Sequence, residues 1–214
     1  MEIKLKKDDI HMLPYRYFHK LTDVNEIDRR AQVYYSFLIA RHPFERVASS
    51  FRNKLEKPYS KAFQFNTGQH ILRLYRDNLT EQEYKRGKGV TFPEFARFVI
   101  KQYTDHGNKG LNEHWRDVYT LCNVCSMKYD FIGDMTTLLT DSDAILVQLG
   151  WSKKVKFPHN ATDKYKIPAS KITRDYFKRL DRDTVAKLYE IYKNDFDLFD
   201  YDLNPFLDDQ DEKQ

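Results

Sequence analysis

Residues 34–54 read YYSFLIARHPFERVASSFRNK, and this stretch limits the fold more than any other. YYSFLIA is aromatic and branched without polar alternation, the pattern of a strand buried on both faces, as in a parallel sheet. Pro43 follows where the first helical turn begins and a missing N–H costs nothing. The spacing predicts a helix to about Lys54, ahead of Pro58. A strand that turns straight into a helix presents free backbone N–H groups and the positive end of the helix dipole, which together hold anions. Arg41 at the strand end supplies a forked cation, and a hydroxyl on the following helix adds a donor. The other reading is a solvated basic face, with Arg46 and Arg52 paired to Glu45 or Glu56.

The chain has 214 residues, of which 41% are hydrophobic and 15% aromatic, enough to bury a core and to exclude a disordered chain. A single domain over residues 1–207 is expected, with DDQDEKQ at 208–214 as an acidic solvated tail. The net charge of +4 is spread along the chain, so it suits a polyanionic substrate only where basic residues cluster. Lys153, Lys154, Lys156, Lys164 and Lys166 are such a cluster, read as a polyanion path or as a solvated face. No basic and aromatic signature of a nucleic-acid module occurs, so a nucleic-acid partner is not expected. No run of eighteen apolar residues occurs, and MEIKLKKDDIHMLPY lacks the apolar core of a signal peptide. Sequons stand at Asn78 and Asn160.

The remaining pattern is mainly helical. VNEIDRRAQV at 24–33 places Val24, Ile27 and Ala31 on one face. Residues 56–90 read as an insertion with one or two helices. Thr91-Phe92-Pro93-Glu94 is a capping box that opens a helix burying Phe95, Phe98 and Val99. YDFIG at 129–133 predicts a second short strand. Asp141 or Ser142 then caps a helix that Gly150 closes. Val185, Leu188, Tyr189, Tyr192 and Phe196 form the core stripe of the last long helix.

Cys122 and Cys125 form a lone C-x-x-C with no second pair at zinc spacing, so no metal is expected. A redox pair of the thioredoxin type belongs at a helix start after a strand, whereas these flanks lead into a strand. A local disulfide or two half-buried thiols is the simpler reading.

RHPFERVASSFRNK closely resembles the 3′-phosphate-binding motif of the Golgi carbohydrate sulfotransferases, the group of the chondroitin and dermatan 4-O-sulfotransferases and the HNK-1 sulfotransferase. NEHWRDVYTLCNVCSMKYDFIG and KLYEIYKNDFDLFDY are similar to later segments of the same family, in the same order. The resemblance implies an α/β, P-loop-like sulfotransferase fold with a central parallel sheet flanked by helices. It also implies transfer of a sulfuryl group from 3′-phosphoadenosine 5′-phosphosulfate to a hydroxyl of an anionic glycan, chondroitin or dermatan first among them. Arg41 matches the arginine that holds the 3′-phosphate and Ser49 its serine partner. The chemistry needs positioning, charge stabilisation and a base, without metal. His19, upstream of the motif, and His114 are the candidate catalytic bases. Glu113, His114 and Trp115 are the candidate acceptor contacts, the indole suiting a sugar face, against the alternative of a buried, hydrogen-bonded turn.

The family implies a Golgi membrane protein, its catalytic part on the lumenal side, held by an N-terminal anchor. Its first strand and 5′-phosphosulfate loop belong before the 3′-phosphate motif, and MEIKLKKDDIHMLPYRYF shows nothing like them. Lys4, Lys6 and Lys7 stand in no strand-loop-helix context. Catalysis by these 214 residues alone is therefore expected to be weak or absent, and a noncatalytic relative that binds nucleotide or sulfated glycan is the alternative. His42, Ser50, Asp134 and Thr136 depart from the family's usual residues.

Overall fold

The computed structural model describes residues 23–57, 61–158 and 168–211. His19, Lys4, Lys6, Lys7, Asn160, Lys164 and Lys166 lie outside them. Helix α1 (Val24–Val33) is capped by Asp23, whose carboxylate accepts the Asn25 N–H at 3.0 Å. Strand β1 (Phe37–Ala40) leads into α2 (Pro43–Phe51), which continues as a π-helical turn over Arg52–Glu56. Short turns then reach α3 (Gln69–Tyr75), α4 (Glu81–Arg86) and α5 (Phe92–His106). After α6 (Val118–Leu121) come β2 (Phe131–Asp134) and α7 (Leu138–Gln148). Helices α8 (Ala169–Phe177), α9 (Arg182–Leu198) and α10 (Asn204–Asp211) complete the described chain.

Among the described residues the sheet has two strands, β1 and β2, parallel, with Phe37 opposite Phe131 and Ala40 opposite Asp134. Polar bonds just before the ladder set this register: Asp130 accepts the Ser36 N–H at 2.8 Å, and the Ser36 hydroxyl donates to the Lys128 carbonyl at 2.9 Å. The strand buried on both faces is not what forms. It begins at Phe37 rather than Tyr34, and Phe37 and Ile132 are 49% and 50% exposed, because no further strand or helix covers that part of the sheet among the described residues.

The core lies on the helical side. Phe44, Phe51, Phe92, Phe95 and Phe177 pack together with Leu188, Tyr192 and Phe196 of α9. The Phe44 and Phe177 rings stack at 4.3 Å. The Thr91 capping box forms as the sequence predicts, with Phe95, Phe98 and Val99 buried behind it. Helix α7 starts three residues ahead of the expected cap. Asp141 lies inside its first turns, where its carboxylate accepts the Asp134 N–H at 2.8 Å and the Thr137 hydroxyl at 2.7 Å. The acid ties the helix to the end of β2 instead of capping it. Helix α10 takes in residues 208–211 of the acidic segment.

Candidate functional site

Helix α2 has three working faces. Phe44, Val47, Ala48 and Phe51 are buried in the core. Glu45 and Ser49, four residues apart, share one face of the helix, and Arg41, just before its N-cap, reaches back to Glu45. Arg41 Nε lies 3.4 Å from a Glu45 carboxylate oxygen, the two side chains being 26% and 14% exposed. Ser49 is half-buried at the far end of that face.

The first turn is narrower as an anion site than its sequence predicts. Pro43 has no N–H, and the Phe44 N–H donates to His42 Nδ1 at 3.2 Å. His42 Nε2 lies 3.2 Å from the Asp202 carbonyl, so these partners select the neutral ring protonated at Nε2, and burial pushes its pKa down. Among the described residues, the donors left for a ligand near this turn are the Glu45 N–H, the Arg41 Nη groups and the Ser49 hydroxyl. That set fits a phosphate, with the Glu45 carboxylate as the opposing charge.

The third face of α2 holds the turn Glu113-His114-Trp115-Arg116. Arg46 donates to the Glu113 carbonyl at 2.6 Å and to the Arg116 carbonyl. Ser50 Oγ lies 2.5 Å from the His114 carbonyl, and the Tyr192 hydroxyl donates to the Trp115 carbonyl at 2.6 Å. Every carbonyl of the turn is thus met by a side chain of α2 or α9. Arg46 is not the solvated partner of Glu45 that its spacing suggested, whereas Arg52 does approach Glu56, at 3.9 Å. Burial pushes the Arg46 pKa down, against the favourable field of Tyr192 and Asp195.

This turn separates the three acceptor candidates. Glu113 is exposed and His114 half-buried, its ring edge-on to Phe63 at 5.3 Å. Trp115 is 1% exposed, edge-on to Phe95 at 5.3 Å, and its indole N–H donates to Gln102 at 3.1 Å. Its ring therefore offers no face to a sugar in this structure, and burial in the core accounts for it.

Beneath the turn lie two buried acids. Asp195 is 1% exposed and accepts the N–H groups of Val118 and Tyr119, each at 2.7 Å. Asp117 caps α6 through the Thr120 N–H at 2.8 Å, and its other carboxylate oxygen is buried without a hydrogen-bond partner. Burial, with Asp117 nearby, pushes the Asp195 carboxyl up to about 6. Cys122 and Cys125 are free thiols just past α6, and burial raises the Cys122 pKa.

At the end of β2, Asp134 accepts the Thr136 N–H at 2.7 Å and the Tyr201 hydroxyl. An open cleft of about 480 Å³ lies here, lined by Ala40, Gly133, Asp134, Asp141 and Tyr201. Its acids, Asp134 and Asp141, disfavour an anion in that cleft. The roles of Arg46, Tyr192 and Asp195 escape a reading by motif; only the four-residue spacing of Arg41, Glu45 and Ser49 was there to be counted.

A strand that turns straight into a helix beside a cation, a hydroxyl and a free N–H has the geometry in which α/β proteins hold anions. The sulfotransferase family matches residues 4–202, and the chain belongs to that family. Its relatives include carbohydrate sulfotransferase 11 of Mus musculus, 36% identical over 184 residues, 86% of this chain and 51% of the relative. Carbohydrate sulfotransferase 14 of Danio rerio is 34% identical over 206 residues, 95% of this chain and 53% of the relative. Carbohydrate sulfotransferase 9 of Homo sapiens is 34% identical over 191 residues, 86% and 41% respectively. The chain spans about half the length of the curated relatives it matches. No solved structure matches it. The resemblance carried by RHPFERVASS and NEHW is borne out at the level of the family.

Proposed function

We propose that this chain holds the 3′ end of 3′-phosphoadenosine 5′-phosphosulfate in a carbohydrate sulfotransferase acting on a glycosaminoglycan, chondroitin or dermatan first, on the lumenal side of the Golgi membrane. Arg41 and Ser49 grip the 3′-phosphate, and the Glu45 N–H adds a third donor. The observation that carries this reading is the grouping of Arg41, Glu45 and Ser49 where α2 leaves β1.

In the reaction the acceptor hydroxyl attacks sulfur, the bond from sulfur to the 5′-phosphate oxygen breaks, and the hydroxyl proton passes to a base. His114 and His19 are the candidates for that base, and Glu113 the exposed contact for the acceptor. The half-exposed Phe37 and Ile132 support a larger parallel sheet in the working protein, since parallel strands are stable when covered on both faces. Such a sheet is also where the strand and loop that hold the 5′-phosphosulfate belong.

A calorimetric titration with 3′-phosphoadenosine 5′-phosphate tests this reading. Saturable binding by the wild-type chain and its loss in a folded Arg41→Ala variant is the expected result. A folded wild-type chain that shows no heat of binding sinks the nucleotide assignment.

A further inference from the structure

The turn between α3 and α4 is fixed at both ends and open in the middle. On one side Arg76, the extended residue that ends α3, forks onto the Glu94 carboxylate at 2.6 and 2.9 Å. On the other, Thr80 caps α4: its hydroxyl accepts the Glu83 N–H at 3.2 Å and donates to the Glu83 carboxylate at 2.6 Å. Between them Leu79 packs against the hydrophobic core, while Asn78 and Thr80 on either side of it are exposed. That is the alternation of an extended segment whose middle residue is the anchor.

Asn78 has no structural task in this turn. An asparagine in a loop ordinarily bonds the nearby backbone or a neighbouring side chain. Asn112 accepts the His114 N–H at 3.0 Å in this way, and Asn108 donates to the Thr120 hydroxyl at 3.2 Å. The Asn78 carboxamide is exposed and makes no hydrogen bond to another described residue. It is also the first residue of Asn78-Leu79-Thr80, an acceptor sequence for N-linked sugar.

We infer that Asn78 is a site of N-linked glycosylation, an inference that rests on the lumenal placement proposed above. The Asn78 amide nitrogen forms a bond to the anomeric carbon of a lipid-pyrophosphate-linked oligosaccharide. The bond from that carbon to the pyrophosphate oxygen breaks, the lipid pyrophosphate leaves, and the amide gives up one proton to a base of the transferring enzyme. In the folded protein the Thr80 hydroxyl is held by Glu83, so the transfer belongs to the chain before α4 is capped. Folding then keeps the sugar in water, because Leu79 and not Asn78 is the residue that turns inward. Helix α4 packs mainly on α3 and residues 64–68, so the glycan stands on the insertion and leaves the Arg41 corner open.

The test is the full chain expressed in animal cells behind a cleavable secretory leader, with Asn160→Gln removing the second sequon. The expected result is a gel mobility shift that peptide N-glycosidase removes, leaving aspartate in place of Asn78 by peptide mass. Asn78→Gln should abolish the shift, and so should Thr80→Asp, which keeps a capping side chain on α4 and loses only the acceptor sequence. Thr80→Ser should retain it. A folded, secreted chain with Asn78 bare overturns the inference, as does a shift that survives both Asn78→Gln and Thr80→Asp. A site modified behind the leader but bare in protein isolated from its own cells overturns it through the lumenal placement instead, which keeps the two failures apart.

Discussion

The guanidinium of Arg46, on the helix that leaves β1, donates to the backbone carbonyl of Glu113 at 2.6 Å, across sixty-seven residues of sequence. The same side chain reaches the Arg116 carbonyl, so one residue of α2 holds both ends of the turn that carries Glu113 and His114. The two halves of the proposed site are thereby one mechanical unit.

Removing that link leaves the part-buried Arg116 carbonyl and the exposed Glu113 carbonyl without their charged donor. Arg46→Met is expected to lower stability by about 1–3 kcal/mol, since the buried acceptor left unmet costs about that much while water meets the exposed one. Arg46→Lys should recover only part of this, because a single ammonium cannot fork to both carbonyls. Denaturant midpoints of the three proteins check the order. A Met variant as stable as wild type would mean that the turn is held by Ser50 and Tyr192 alone.

Glu45 sets binding against stability. Its carboxylate draws Arg41 at 3.4 Å and stands beside the place proposed for a phosphate. Glu45→Gln is expected to tighten binding of 3′-phosphoadenosine 5′-phosphate by about three- to tenfold, through loss of like-charge repulsion and release of Arg41. The same change should cost about 0.3–1 kcal/mol of stability, because an acid in the first turn favours the helix dipole. Calorimetry and thermal melts on one preparation read both signs. Weaker binding in the variant would place the phosphate away from Arg41 and Glu45.

Much of this architecture was legible in the sequence, and the illegible part has a common cause. The Thr91 capping box, the α9 stripe and the Pro43 helix start depend on neighbours within a turn or two, and they form where expected. Arg46, Ser50 and Tyr192 act on backbone carbonyls some sixty to eighty residues away, and nothing in local spacing marks a side chain for that work. Trp115 shows the converse. Its motif suggested a binding face, and its burial follows from long-range packing on Phe95 and the Tyr192 hydroxyl at its carbonyl. YYSFLIA predicted a covered strand, yet covering is a property of neighbours, and Phe37 remains half exposed.

Asp195 gives the protein a pH term of its own. Its folded pKa, raised to about 6 by burial, exceeds the ordinary aspartate value, so the folded state holds the proton more tightly than the unfolded chain does. The stability it contributes is complete below about pH 4 and is lost as the pH rises through 6, about 3 kcal/mol in all. Burial sets the effect, with Asp117 adding to it, and the Val118 and Tyr119 N–H groups and Arg46 oppose it. Asp195→Asn is expected to remove this slope, so the difference in melting temperature between variant and wild type should change between pH 4.5 and 7.5 in favour of the variant. A difference that stays flat over that window would mean that the carboxyl titrates normally in the fold.

A pair of glycines tests how closely the insertion packs. Gly87 has φ 57°, and a Cβ there would stand 1.8 Å from the Gln64 carbonyl oxygen, a backbone atom that cannot swing aside. Gly89 has φ 85° with nothing within 4 Å of the same position. Gly89→Ala should therefore meet only the left-handed backbone penalty, about 1–2 kcal/mol. Gly87→Ala meets that penalty and the clash, and is expected to cost at least about 2 kcal/mol more, because the turn before α3 must move to admit the methyl. Chemical denaturation of both variants reads the difference directly. Equal losses would mean that residues 64–68 do not lie against the end of α4 as the structure has them.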